Sequence, residues 1–108
     1  DGRLRALGVT SLKRSPLAPD LPAVAETLPG FESNTWFGLY GPKGLPADIV
    51  ARVNKAANEA LADAQLREKL SGLGIEPTQS TPEQLAKLAA EDTAKWKQII
   101  VDRKITNE

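Results

Sequence analysis

The 108-residue sequence contains no cysteine, no histidine and no methionine. Without cysteine and histidine, the chain lacks a thiol nucleophile, an imidazole for acid–base catalysis and the ligands that most zinc sites use. The absence of cysteine fits any redox compartment, including an oxidising one. The paired carboxylates are predicted on the wet faces of helices, an arrangement that does not favour catalysis. We therefore predict a chain that is not an enzyme, with no catalytic residues, no metal site and no cofactor.

An excess of charge of one sign is also lacking. Lysine and arginine total 14, aspartate and glutamate also total 14, and the formal net charge is zero. A nucleic-acid-binding surface needs a basic excess on at least one face, so we predict no nucleic-acid partner. No apolar run approaches the ~20 residues of a membrane-spanning helix, and we recognise no signal-peptide pattern. The sequence opens at Asp1 without an initiator methionine, from which we expect either a missing N-terminal portion or a processed mature chain.

The stretch 34–46 contains the clearest strand signal. Its first seven residues are mainly aromatic, β-branched or aliphatic, and the breakers Gly41-Pro42 and Gly44-Leu45-Pro46 follow. A nearly continuous apolar run is typical of a strand buried on both faces of a sheet that helices cover. We also predict a strand over residues 3–10 and a small edge strand over 75–78.

Three helices are predicted after this stretch. Apolar residues recur every three or four positions over 47–62. Asp63 is expected to cap a second helix, which Gly72 and Gly74 would end. Thr81 and Gln84 form a capping-box pattern at the start of a last helix that runs to about residue 102. Before the aromatic stretch, the proline-rich segment 16–22 predicts a stiff connection, and Asp20 could cap a short helix over 22–26.

Several side chains allow both a functional and a structural interpretation. Trp36 and Tyr40 could line a ligand pocket or lie in the core, and the core is favoured. Asn34 and Thr35 could donate hydrogen bonds to a ligand or cap a turn. Asp92 interrupts the apolar stripe of the last helix, and a structural bond to a neighbouring tryptophan or backbone group is favoured. The loop 41–44 lacks the residue order of a phosphate-binding loop, which favours a simple strand-to-helix turn.

Several segments follow one another in a recognisable order and spacing: 2–11, Pro19-Asp20-Leu21-Pro22-Ala23-Val24-Ala25-Glu26, Leu28-Pro29-Gly30-Phe31-Glu32, Trp36-Phe37-Gly38-Leu39-Tyr40-Gly41-Pro42-Lys43-Gly44-Leu45-Pro46, Asp48-Ile49-Val50, Leu70-Ser71-Gly72-Leu73-Gly74 and Thr81-Pro82-Glu83. In this series the chain resembles the Bug/TctC family of extracytoplasmic solute receptors of tripartite tricarboxylate transporters. The resemblance covers nearly the whole sequence. Ala23 departs from the family pattern, because threonine is common there.

This resemblance implies an α/β fold, part of a periplasmic-binding-protein-like architecture in which few strands pack with three amphipathic helices. It implies the C-terminal fragment of a two-domain protein. Residues 1–15 would end the second domain, 16–33 would form the interdomain crossing, and 34–108 would complete the first domain.

It also implies a function. A periplasmic receptor would capture a small carboxylate by domain closure and deliver it to the membrane subunits of the transporter. Asp20, Asn34, Thr35 and Trp36 are the candidate ligand-binding residues, because they lie at the crossing or at the start of the returning strand.

Two other classes of function stay open. A small interaction module could dimerise or swap through an exposed strand, since a fragment of a sheet leaves unpaired edges. The chain could also belong to an anion-binding enzyme, which the lack of a catalytic constellation disfavours. A specific oligomer would support the second interpretation, and turnover would support the third.

Overall fold

The computed structural model describes residues 4–106, which contain three α-helices and one short 3-10 helix. The 3-10 helix spans Val24–Glu26, and the α-helices are α1 (Ala47–Ala62), α2 (Ala64–Gly72) and α3 (Pro82–Asp102). The bounds of the three α-helices agree with those predicted from the sequence.

The prediction of an α/β fold containing a few strands was wrong. Within residues 4–106 there is no strand, and the one β-type pairing is an isolated parallel bridge between Val9 and Ala23. Residues 34–40 and 75–78 form no sheet, and Arg3, the first residue of the strand predicted over 3–10, lies outside the described residues. A strand needs a neighbouring backbone about 4.8 Å away, whereas β-propensity reports only that side chains suit a sheet surface. Here the propensity is present without a pairing partner.

The helix ends follow the predicted local chemistry. Asp63 Oδ1 accepts a hydrogen bond from the Leu66 amide at 2.9 Å and caps α2. Thr81 and Gln84 form the expected reciprocal capping box at the start of α3. Gly74 has φ +75°, in the left-handed region that favours glycine, and it turns the chain after α2.

Asp20 does not cap the short helix as predicted. Ala23 occupies the N-cap position, and the Glu26 carboxylate accepts a hydrogen bond from the Ala23 amide at 2.9 Å. The helix is therefore capped from its own last residue. This arrangement needs no polar side chain before the helix.

Two asparagines on α1 hold the connection between α2 and α3. Asn58 donates to the Ser80 carbonyl at 2.9 Å and accepts from the Ser80 amide at 3.1 Å. Asn54 donates to the same carbonyl at 2.9 Å, and the Gln79 side chain donates to the Asn58 carbonyl at 2.8 Å. These bonds fix residues 79 and 80, directly after the predicted strand 75–78, to α1.

The chain does not enclose a core of its own. Ala23, 2% exposed, is the one buried side chain among the described residues. The solvent-accessible surface is 9332 Å², whereas a self-contained monomer of this mass exposes about 5,800 Å². The radius of gyration is 17.2 Å, compared with about 13 Å for a compact domain of this length. Apolar faces that a folded domain would cover are therefore open.

Candidate functional site

The candidate residues Asn34, Thr35 and Trp36 lie in a segment that packs along α3. We call residues 32–38 the α3-bound segment. Glu32 contacts Lys95, Trp36 contacts Asp92, and Gly38 approaches Leu85, so the segment runs antiparallel to the helix. Six residues cover about 15 Å of helix axis, which requires a nearly extended chain.

Trp36 is anchored to α3 by a hydrogen bond that spans 56 positions of sequence. Its Nε1 donates to Asp92 Oδ2 at 3.1 Å, and both side chains are half-buried. The interpretation of Asp92 as a structural residue bonded to a tryptophan is confirmed. A carboxylate on an apolar helix face is costly unless it is paired, and the indole N–H supplies the pairing.

A second anchor holds the start of the segment. Lys95 Nζ donates a hydrogen bond to the Glu32 carbonyl, and the lysine also lies 5.4 Å from the centre of the Trp96 ring. Lys95 and Asp92 are three positions apart and therefore neighbours on the surface of α3. One turn of helix holds both ends of residues 32–36.

Gly38 lets the segment approach the helix closely. A Cβ atom there would lie 3.1 Å from a Leu85 methyl and 2.8 Å from the Tyr40 ring. Phe37 and Leu39 alternate with these positions and are 78% and 70% exposed. Tyr40 is 62% exposed, so the aromatic side chains lie neither in a closed core nor around an enclosed pocket.

Asn34 and Thr35 lie between the two anchors, with exposed side chains. Asn34 Nδ2 donates to Glu32 Oε1 at 2.9 Å, which leaves its second N–H and its carbonyl to other partners. No residue from 34 to 42 makes a backbone–backbone hydrogen bond in the described part of the chain. The assignment of Asn34, Thr35 and Trp36 as ligand-binding residues stays a prediction.

Asp20 lies in the proline-rich connection, apart from these residues in the hydrogen-bond network. Within residues 4–106 no hydrogen bond links Asp20 to Asn34, Thr35 or Trp36. The hydrogen bond and charge of Glu26 raise the pKa of Arg14, and the negative charge of Asp20 adds a smaller effect in the same direction. The role of Asp20 as a ligand-binding residue also stays a prediction.

The connection itself is closed by an ion pair, which we call the Arg14–Glu26 clasp. Arg14 Nε and Nη2 donate to the two carboxylate oxygens of Glu26 at 2.7 and 2.9 Å. Arg14 Nη1 also lies 3.4 Å from the Pro19 carbonyl. The hydrogen bond from Arg14, followed by that from the Ala23 amide, lowers the pKa of Glu26 to about 2. The parallel Val9–Ala23 bridge lies beside this clasp.

We expect the stabilisation that the clasp supplies to fall as the pH drops from about 4.5 to about 2, whereas the Glu26 carboxylate of the folded chain protonates only near pH 2. The pKa of Glu26 is depressed in the folded chain from 4.5 to about 2. Its contribution to stability is therefore complete above the pKa of the unfolded chain and is lost on acidification through the pKa of the folded chain.

A carbon-13 NMR titration of the Glu26 carboxyl should show this low midpoint, and Arg14→Gln should move it up towards 4.5. Lys13→Gln is the matched control and should leave it low. A Glu26 midpoint near 4.5 in the native sequence would contradict the clasp.

The described residues offer no arrangement for a metal or a membrane span. In the range 4–106 no three acidic side chains come together in a way that could hold a metal ion. Over the same residues no helix combines the length and apolar character that crossing a bilayer requires.

The sequence pattern did not reveal Arg14, Glu26 or Lys95 as structural residues. Arg14 and Glu26 are twelve positions apart across three prolines, and no helical or strand period links them. Lys95 is one of several charged residues on the last helix, and nothing in its spacing marks it as the partner of a residue 63 positions earlier.

Comparison with known families gives one match over most of the chain. The sequence model described as "Tripartite tricarboxylate transporter family receptor" matches residues 1–105. No solved structure matches the chain.

Curated proteins of several bacteria are similar to the chain. A UPF0065 protein in the tcbD-tcbE intergenic region of Pseudomonas sp. strain P51 is 45% identical over 95% of this chain and 31% of its own length. A UPF0065 protein in the clcB-clcD intergenic region of Pseudomonas knackmussii is 40% identical over 99% of this chain and 65% of its own length. Protein BugT of Bordetella pertussis is 33% identical over 92% of this chain and 31% of its own length. The chain therefore spans between about a third and two thirds of these relatives.

Proposed function

The chain belongs to the family of tripartite tricarboxylate transporter receptors, and we propose that it forms the C-terminal part of a periplasmic solute-binding receptor. That receptor captures a small carboxylate by domain closure and delivers it to the membrane subunits of a tripartite transporter. The observation that carries the proposal is the family match over residues 1–105. In this proposal the receptor binds its ligand without transforming it, as expected of a family described as transporter receptors.

The open surface of the chain supports a role as part of a larger receptor. The chain exposes 9332 Å², about 3,500 Å² more than a self-contained monomer of its mass. Relatives such as BugT are about three times as long as the matched region. In our proposal the remaining residues of the receptor cover the exposed apolar side chains of residues 34–108, which belong to the first domain.

In the proposed mechanism, residues 16–33 cross between the domains and residues 1–15 belong to the second domain. The Arg14–Glu26 clasp and two internal turns, at 3.0 Å from Ala18 N to Ser15 O and 3.1 Å from Leu21 N to Ala18 O, stiffen the first half of this crossing. During domain closure the chain would then bend on either side of the clasp, and residues 16–22 would move as one rigid segment.

The ligand carboxylate would bind near the start of residues 34–36. The Asn34 amide, the Thr35 hydroxyl and the backbone amides of this stretch are donors that a carboxylate can use. Uncharged N–H and O–H donors can hold an anion without a basic side chain, because each donates a hydrogen bond to a carboxylate oxygen. Trp36 would bound the site on its α3 side, and Asp20 would act from the crossing.

The alternative of a module that dimerises through an exposed strand stays a prediction. It would need a strand edge, and residues 4–106 contain no strand. No observed contact favours it over the receptor.

Isothermal titration calorimetry of the complete receptor polypeptide against a panel of mono-, di- and tricarboxylates tests the proposal. We expect saturable binding of at least one carboxylate by the receptor and none by residues 1–108 alone. Amides of the same acids are the matched control ligands, and they should not bind. A receptor that binds no carboxylate in the panel would contradict the proposed function.

A further inference from the structure

Asp92 is a charged residue on the packed face of α3, and its partner is the indole of a candidate site residue. Trp36 Nε1 donates to Asp92 Oδ2 at 3.1 Å, and both side chains are half-buried. We propose that Asp92 is a positioning residue for the ligand site: acting through Trp36, it fixes where Asn34 and Thr35 are presented. This inference rests on the proposed receptor function and assigns a helix residue to the same site.

The two anchors of the α3-bound segment lie on one turn of α3. Asp92 and Lys95 are three positions apart on α3, so their Cβ atoms lie roughly 5–6 Å apart. Their partners, Trp36 and the Glu32 carbonyl, are separated by four residues that can span at most about 14 Å. The flexible stem of Lys95 makes up the difference. A single rigid turn thus holds both ends of a five-residue stretch that contains Asn34 and Thr35.

Beyond Ser33, the backbone of this stretch makes no further hydrogen bonds to other backbone groups within residues 4–106. The Ser33 amide donates to the Thr10 carbonyl at 2.9 Å. From residue 34 to residue 42 no backbone–backbone hydrogen bond is made in the described part of the chain. Phe37 and Leu39 are mostly exposed. The position of Asn34 and Thr35 therefore depends on the two side-chain anchors and on the single backbone bond at Ser33.

Burial alone does not account for an aspartate at position 92. An apolar side chain at position 92 would pack against the Trp36 ring without the free-energy cost of desolvating a carboxylate. It could not orient the ring, because a hydrogen bond has direction and an apolar contact does not. A hydrogen-bond acceptor at position 92 therefore orients the Trp36 ring, whereas an apolar side chain would only cover it. A binding segment needs such a fixed orientation.

The test measures carboxylate affinity and stability together in the complete receptor polypeptide, by titration calorimetry and urea denaturation. Asp92→Leu removes the acceptor and should weaken binding of the carboxylate about tenfold, the usual effect of losing a hydrogen bond to a charged group. Asp92→Asn keeps a carbonyl acceptor and should bind within about threefold of the native receptor. Glu91→Leu, at the exposed neighbouring position, is the matched control and should bind as the native receptor does.

A double-mutant cycle separates orientation from general damage. Trp36→Phe removes the donor, and Asp92→Leu should cost no further affinity in that background. If Asp92→Leu does not fold, Asp92→Ala, which also removes the acceptor, takes its place in the cycle with Trp36→Phe, and additive losses would overturn the proposal.

The outcomes separate the two hypotheses. If the native receptor binds no carboxylate, the proposed function fails and the positioning role fails with it. If the native receptor binds a carboxylate, and Asp92→Leu lowers the urea midpoint without changing affinity, Asp92 is purely structural. In that case the positioning role is overturned and the receptor function stands.

Discussion

Replacing Asn58 with alanine is expected to loosen the attachment of Ser80 to α1. The substitution removes both hydrogen bonds to the Ser80 backbone and the bond to the Asn54 side chain. It leaves the half-buried Ser80 amide without an acceptor among the described residues, a loss that typically costs about 2 kcal/mol. At about 1.4 kcal/mol for each factor of ten, the Ser80 amide should exchange with deuterium roughly 30-fold faster.

Asn54→Ala is the matched control for this experiment. Asn54 supplies one of the two bonds to the Ser80 carbonyl, and Asn58 keeps the other. We therefore expect a change of less than about 1 kcal/mol and slow exchange at Ser80. Hydrogen exchange followed by NMR gives both values. Equal exchange rates in the two variants would show that the asparagine network does not hold the connection.

Gly8→Ala should separate the N-terminal segment from the short helix. A Cβ atom at Gly8 would lie 2.9 Å from the Pro22 carbonyl oxygen, too close for a backbone atom to remain in place. That oxygen accepts the hydrogen bond from the Val9 amide, and the Val24 amide donates to the Val9 carbonyl. Overpacking of this kind costs about 1–3 kcal/mol, so the Val9 and Val24 amides should lose protection together.

Gly72→Ala provides the comparison, since nothing lies within 4 Å of a Cβ atom at the last residue of α2. Alanine is the better helix former, and a neutral or slightly stabilising effect is expected. The two variants should therefore differ in sign in hydrogen exchange and in thermal melts. Retained protection of Val24 in Gly8→Ala would mean that the Pro22 carbonyl can move without breaking the pairing.

The sequence predicted the helices well because their signals are local. Asp63, Thr81 and Gln84 bond to residues within three positions, so capping needs no knowledge of the rest of the fold. The sequence also predicted that Asp92 serves a structural role. Its partner, Trp36, lies 56 positions away and could not be identified from helical spacing.

The prediction of strands failed because strand pairing depends on residues far away in the sequence. Thr35, Trp36 and Phe37 suit a sheet, but a sheet exists only where a second backbone is present to pair with. In this chain α3 takes the place of that partner, and its side chains bind the Trp36 indole and the Glu32 carbonyl. The sequence predicted a candidate site of three residues in one segment, Asn34, Thr35 and Trp36, and one residue, Asp20, in the crossing. The contacts of that segment with a helix about sixty residues further along the chain could be read only from the structure.

The open surface also determines how the isolated chain unfolds. A fully unfolded chain of this mass exposes about 16,800 Å², and the folded chain already exposes 9332 Å². Unfolding thus uncovers about 7,500 Å², roughly a third less than the change for a closed domain of the same mass. Both the heat-capacity increment and the denaturant m-value scale with this area. The isolated chain should therefore melt over a broad range of temperature, and a sharp transition belongs only to an assembly in which its apolar faces are covered.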